Sequence, residues 1–384
     1  YPEFESEKIS LGQSFQGRDI YAVKVSANVD IDEHHPEVLY TGMHHAREPM
    51  SFMILYYYIY WLLENYGIDD RATQVLNTRE LWFIPIVNPD GYEYNRSIAP
   101  NGGGMQRKNM RETCNSNSSA DADGVDLNRN YGYAWNCQGI YEGVCDTTGS
   151  SGTGCNETYR GSSAFSESET QIVRDFVYHH DFKIALNYHA YGNYMVHPWG
   201  YNNTGLALPL EDDEIYQEIG QEATLYNNYF LGTGYETVGY GVNGDSDDWM
   251  YGAQGIITYT PEVGANSDGF WPSSDRIVPL AEENLHPNIL VAMYAGALIS
   301  ADFNIQEGPY LEDNSYSIDV MLNNIGLSES VGITTLEFIS EDGIGFSDNF
   351  IEIDEIDLRS SIDLEGISEF YVSPYIPSGI ETDI

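Results

Sequence analysis

A three-layer α/β/α domain on a mixed, mostly parallel central sheet, followed by a small all-β sandwich, is the fold class this sequence predicts. Three observations predict it. From residue 20 to about 300, short strand-like runs alternate with longer helical ones. Several of the short runs are apolar almost throughout, as in strands covered by helices on both faces. Beyond about residue 304 the chain holds one Arg and no Lys, His, Trp or Cys, and its short runs alternate with period two.

In chain order, Ile20 to Ser26 and Glu37 to Gly42 read as strands. Met50 to Leu63, the longest apolar run, is too short to cross a bilayer and reads as part of a buried helix, Met50 to Asn65. Glu80 to Val87 is a third strand. The stretch from Ile98 to Ser166 is rich in Gly, Asn and Ser, and a loop of that length in a compact domain is either functional or stapled. It contains all four cysteines, Cys114, Cys137, Cys145 and Cys155, which suit two local disulfides; three pairings are open. There follow a helix (Glu167 to His179), a strand (Lys183 to His189), a helix (Asp212 to Tyr229), a strand (Gly255 to Val263) and a helix (Val278 to Ser300). In the tail, Ser317 to Leu322, Ile333 to Ile339 and Phe350 to Ile356 read as sandwich strands, and Ser373 to Ile384 as a fraying end. The expected division is 1–303 and 304–384.

Sixteen basic residues against 60 acidic ones give a formal charge of −44. Nucleic-acid binding needs a positive footprint, so it is excluded as a function class, and an anionic membrane would repel this surface. The acidity reads mainly as solubility in a salty medium, with a smaller part in steering cationic substrates. Residues 1–10 are polar, with neither an initiator Met nor an apolar leader core, so a processed or trimmed chain is expected. With the cysteines, this points to a secreted protein, expected to be a monomer.

The chemistry begins at Thr41 to Pro49, between a strand and a helix. His45 and Glu48 stand three apart, so a turn at the helix start aims a nitrogen and an oxygen at one point. Such a pair is common by chance, and His44 offers another register. A catalytic zinc needs three protein ligands and one open position. His189 is the third candidate, at the carboxyl end of an apolar strand, where open α/β sheets place their sites. His34, His35, His179, His180, His197 and His286 are assigned structural roles.

At His45-Ala-Arg-Glu48 and His189-Ala-Tyr191 the chain resembles the zinc carboxypeptidases of the pancreatic A and B type, including bacterial carboxypeptidase T-like enzymes. The resemblance runs to about residue 300. It implies one zinc per chain held by His45, Glu48 and His189, and Glu262 in Thr260-Pro-Glu-Val as general base. It implies that Arg107 polarises the scissile carbonyl and that Asn128 and Arg129, in Gly124 to Asn130, hold the substrate's free carboxylate with the mobile Tyr240. Arg47 and Tyr191 are implied to contact substrate, and Asp126 to accept the second ring N–H of His45. The partners so implied are peptide and protein C-termini. The family's catalytic domain begins with a further helix, which is expected to precede Tyr1.

The residue before the Asp248-Trp249 pair lies, in this resemblance, at the bottom of the pocket for the C-terminal side chain. Here it is Asp247, as in the B-type enzymes, with Asp245 adding charge and Gly200 and Thr260 at other pocket positions. An unpartnered buried carboxylate costs about 3–5 kcal/mol, which favours a C-terminal Lys or Arg. A mixed, carboxypeptidase T-like preference is the alternative. Rival readings are a peptidoglycan or γ-glutamyl peptidase on the same scaffold, which Asn128, Arg129, Tyr240 and Asp247 together disfavour, and an inactive adhesin, which retention of Glu262 and Arg107 disfavours. Asp121 to Asp126 opens like a calcium loop but carries Gly132 where the twelfth-position Glu belongs, so calcium stands only as a secondary cofactor expectation.

Overall fold

The computed structural model describes residues 4–114, 123–305, 308–311, 314–340 and 343–373. They form two compact units, Tyr1–Ala292 and Met293–Ile384.

From the start of the first unit to the helix that spans the division at Ala292, the elements are β1 (Ile9–Gln13), β2 (Asp19–Val25), β3 (Glu37–Gly42), α1 (Pro49–Asn65), α2 (Asp70–Thr78), β4 (Glu80–Ile84), α3 (Pro89–Ile98), α4 (Ser168–Val177), β5 (Phe182–Tyr188), β6 (Tyr194–His197), α5 (Leu210–Ala223), β7 (Phe230–Thr233), α6 (Gly234–Thr237), α7 (Ser246–Gln254), β8 (Ile257–Glu262), α8 (Ser274–Glu282) and α9 (Leu285–Ala295). The eight strands make one sheet in the order β1-β2-β4-β3-β5-β8-β6-β7. Its centre, β4-β3-β5-β8, is parallel, and antiparallel pairs flank it. Those central strands are buried because helices cover both faces, with Leu39, Ala185 and Ile84 wholly inaccessible.

Local chemistry sets the helix ends that matter for the site. Pro49 opens α1, where its missing N–H costs nothing, and the N-cap residue Glu48 makes no capping bond with its carboxylate, which is turned elsewhere. Asp245 caps α7 by accepting from Asp248 N–H, and Gly255 ends it at φ 73°, a left-handed position that suits glycine. The run expected as one helix over Val278 to Ser300 is two helices. Glu283 and Asn284 fall between them, and Pro287, in the first turn of α9, has no N–H to bond back across the break. The helix expected to reach Tyr229 stops at Ala223, where Thr224 leaves helical geometry with its Oγ1 donating back to Gly220 O, and Asn228 at φ 56° then turns the chain into β7.

Within the long connection after α3, the cysteines pair as Cys114–Cys155 and Cys137–Cys145. A 3-10 turn, Leu127–Arg129, carries Asn128 and Arg129. No helix among the described residues is long and apolar enough to cross a membrane.

The second unit holds β9 (Ile299–Ile305), β10 (Ser315–Asn324), β11 (Thr334–Glu337), β12 (Ile344–Phe346), β13 (Phe350–Ile353) and β14 (Ser361–Val372). A four-stranded sheet, β12-β14-β10-β9, and the pair β11-β13 are antiparallel throughout. Ile318, Val320 and Leu322 alternate onto one face and share a core with Phe338, Ile353, Ile356 and Phe370, drawn from both sheets. Residues 374–384 of the expected fraying end, and Asp121 and Ala122 of the calcium-loop-like segment, lie outside the described residues.

Candidate metal centre and active site

Three neighbouring parallel strands, β3, β5 and β8, end together, and each delivers chemistry at its carboxyl edge. Met43, just past β3, adopts φ 55°, uncommon for a side chain of its size, and its N–H donates to Ser51 Oγ at 2.9 Å. This tight turn leads into His44, His45 and Glu48. His189 follows β5 directly. Its N–H donates to Pro261 O at 3.0 Å and its carbonyl accepts from Val263 N–H at 3.0 Å, which sets Glu262 alongside.

His45, Glu48 and His189 are all buried and bring their donor atoms within 4.8 Å of one another. His45 Nδ1 is 2.9 and 3.0 Å from the Glu48 carboxylate oxygens. His189 Nδ1 is 2.9 Å from Glu48 Oε2 and 2.9 Å from His45 Nδ1. Two imidazole nitrogens and a carboxylate facing one point fit a borderline divalent ion, since zinc ligands at about 2.0–2.2 Å stand about 3.3 Å apart in a tetrahedron. No other group of three such side chains occurs among the described residues. His44 is not part of it: its Nε2 lies 2.8 Å from Tyr131 Oη, and burial holds its pKa well down.

The surrounding polar groups orient this cluster. Asp126 Oδ1 is 3.1 Å from His45 Nε2, and Asp126 Oδ2 accepts from Arg107 Nε at 2.9 Å. Arg107 Nη1 also comes within 3.7 Å of Glu48. Although burial opposes it, the charges of Arg107, Arg129 and His45 hold the Asp126 carboxyl well below the usual range. Glu262, lacking a cationic partner at contact distance, moves the other way: burial and the Glu48 charge push it up to about 8.

A cavity of about 380 Å³ opens from the cluster. Every site residue expected from the sequence lines it except His189 and Asp126, which contact it through Glu48, His45 and Asn128. At one end Arg129 Nε donates to Gly149 O at 2.7 Å and Nη1 to Asn128 O at 2.7 Å; Nη2 has no partner among the described residues. Asn128 Oδ1 accepts from Ser246 N–H at 2.9 Å, and its Nδ2 lies 3.2 Å from His189 Nε2. Tyr240, 38% exposed, completes this end. At another, Arg47 pairs with Glu157 and lies 4.1 Å over the Phe270 ring, which packs against Tyr191.

Asp245 and Asp247 line the cavity floor, and Asp248 follows them on α7. Asp247 Oδ1 accepts from Asn187 Nδ2 at 2.7 Å, and burial, then the Asp245 charge, pushes its carboxyl up to about 7. Asp245 Oδ1 caps α7, while its Oδ2 is buried without a partner; burial pushes Asp245 up to about 6. A Cβ on Gly200 would lie 2.6 Å from that same Oδ2 and 3.1 Å from Val242 O, so a larger residue would displace the Asp245 carboxylate. Asp248 accepts from the backbone N–H groups of Gly200 and Tyr201, both at 2.8 Å, fixing the adjoining wall. Sequence reasoning missed Asn187 and Phe270, for which no motif exists. It also gave His197 a purely structural role, although this buried side chain lines the cavity.

A family profile described as zinc carboxypeptidase matches residues 1–287. A zinc carboxypeptidase of Saccharothrix mutabilis subsp. capreolus is 31% identical over 279 residues, covering 72% of this chain and 61% of that protein. Carboxypeptidase B of Helicoverpa zea is 29% identical over 308 residues, 78% of this chain and 67% of the relative. The chain thus spans about three-fifths to two-thirds of the length of these relatives. Among solved structures, bovine thrombin-activatable fibrinolysis inhibitor in complex with tick carboxypeptidase inhibitor aligns with a TM-score of 0.62 and 27% identity, over 77% of this chain and 91% of that one.

Proposed function

This chain belongs to the zinc carboxypeptidase family, and from that premise we propose that it is a zinc metallocarboxypeptidase that removes the C-terminal residue of peptides and proteins. One observation carries the reading: the His45–Glu48–His189 cluster, Glu262 and the Arg129–Asn128–Tyr240 group all border one cavity or touch its lining. A cluster suited to a water-activating metal and donors suited to a free carboxylate therefore share one cavity.

His45 Nδ1, His189 Nδ1 and the Glu48 carboxylate would hold the zinc. When bound, zinc lowers the pKa of a coordinated water to about 7 and polarises the scissile carbonyl. Glu262 accepts the proton of the attacking water and delivers it to the departing amine nitrogen as the C–N bond breaks. Arg107, fixed by Asp126, offers its guanidinium to the developing oxyanion. The planar fork of Arg129 meets the terminal carboxylate, with Asn128 and Tyr240 as further donors.

Asp247 and the unpartnered oxygen of Asp245 support a preference for C-terminal Lys or Arg, because a cation would relieve two buried carboxylates at once. The two disulfides fit an oxidising, extracellular setting. Residues from Met293 onward make a separate unit for which we propose an accessory role. The test compares a peptide with a free C-terminus against its amidated form, with and without a chelator. Chelator-sensitive cleavage of the free form alone is expected; equal cleavage of both forms would refute an exopeptidase.

A further inference from the structure

The short stretch between Cys145 and Ser150 touches both ends of the carboxylate-binding group without belonging to it. Gly149 O accepts from Arg129 Nε at 2.7 Å. Gly149 N–H donates to Gly241 O at 3.0 Å, and Asp146 Oδ2 accepts from Gly241 N–H at 3.0 Å. The residue after Tyr240 is therefore gripped on both backbone groups by one segment. Asp146 is itself fixed: Oδ1 accepts from Thr148 N–H at 2.9 Å and from Thr148 Oγ1 at 2.5 Å, Oδ2 accepts from Asn203 Nδ2 at 2.9 Å, and its own N–H donates to Tyr201 O at 2.8 Å. Burial opposes its ionisation, yet these bonds hold its carboxyl below the usual range.

Glycine is required here by close approach, since neither Gly149 nor Gly241 has a positive φ. A Cβ on Gly149 would lie 2.4 Å from Gly241 O and 2.6 Å from Tyr240 Cδ2, and one on Gly241 would lie 2.4 Å from Asp146 Cβ. The Tyr240 ring thus rests directly on the Gly149 backbone. One carboxylate bond and two missing side chains set how near the tyrosine comes to Arg129.

We propose that Asp146, acting with Gly149, is a positioning element that aligns Tyr240 with Arg129 so that both meet one substrate carboxylate. It touches no substrate, and the inference rests on the carboxylate-binding reading of those two residues given above. A two-residue cycle separates the possibilities, read as KM and kcat for an unblocked peptide in zinc-loaded protein. Tyr240→Phe is expected to raise KM, and its silence would refute the carboxylate reading itself. Asp146→Ala is expected to raise KM about tenfold with kcat within about threefold, but to change KM less than about twofold when Tyr240→Phe is already present. An equal KM effect in both backgrounds, or none in either, would overturn the proposal while leaving the function intact. Gly149→Ala sets a Cβ against both Gly241 O and the tyrosine ring; it must show the same non-additivity, and carries the test should Asp146→Ala fail to fold or to retain zinc.

Discussion

Buried carboxylates in and around one cavity are shifted in opposite directions. At the metal end, Asp126 and Glu48 have Arg107 and two imidazoles within reach, and both carboxyls are held well below their ordinary range although burial alone would raise them. At the floor, Asp245, Asp247 and Asp248 form no ion pair among the described residues, and all three are pushed up. Burial is common to all of them: cations in contact lower Asp126 and Glu48, whereas Glu262, beside the same cluster but without a contacting cation among the described residues, is raised like the aspartates of α7. The first pair is matched by cations of the protein itself. The floor is short of a positive charge, which a basic C-terminal side chain would bring.

The largest expected effect breaks the metal end. His189→Ala removes one of three ligands, and zinc content is expected to fall from one per chain to near zero together with turnover. Glu262→Gln, whose side chain is not a ligand, should keep the zinc and lower kcat by about 10²–10⁴. Metal analysis beside kcat checks both. A metal-replete, active His189→Ala protein would sink the ligand assignment, and an unimpaired Glu262→Gln protein the base.

How much of this was legible in the sequence follows from what each residue depends on. His45 and Glu48 are readable because a helix start brings residues three apart onto one point, and His189 because it closes an apolar strand. Strand β3 falls at the expected residues, since a run buried on both faces leaves a near-continuous apolar signal. The short β6 and β7 leave none, at four residues each, and helix α2 is mostly polar with an Asp69 cap as its only marker. Asn187 is hidden for a different reason: it is a polar residue inside a buried strand, and its purpose appears only when Asp247, 60 positions away, reaches its amide. Gly149 and Asp146 act across the fold on a residue 95 positions from Asp146, and no local pattern carries such a contact.

A smaller effect sharpens the floor. Asp247 is faced by Asp245 and Asp248 on its own helix, by Asn187 from β5, and by Thr260 and Glu262 from β8, with Tyr131 and Tyr216 behind it; Arg129 reaches Asp245 and Glu262. With its carboxyl pushed up to about 7, free enzyme below that pH presents a neutral acid and above it an anion. The ratio of kcat/KM for C-terminal Lys over Leu is therefore expected to rise with pH through about 7. Taking a ratio cancels titrations, such as that of Glu262, that both substrates share. Asp247→Asn should cut the ratio at pH 8 by about 10²-fold and flatten its pH dependence, given about 3–5 kcal/mol for an uncompensated buried charge. A flat wild-type ratio, or a preference for Phe that survives every pH, would remove the floor's claim to a basic side chain.

The smallest effect asks what the missing cation costs the empty protein. Where folded Asp247 keeps its proton to about 7 and the unfolded chain loses it near 3.8, the native state binds more protons across that window, so stability falls as pH rises through it. Below about 4 both states are protonated and the site is neutral to stability. Asp247→Asn still offers an oxygen to Asn187 but cannot ionise. It is therefore expected to raise Tm at pH 8 and to leave Tm unchanged at pH 4. The opposite pattern, a variant less stable at pH 8 than at pH 4 relative to wild type, would mean that Asp247 is already paired in the free protein, and the contrast between the two groups of carboxylates would vanish.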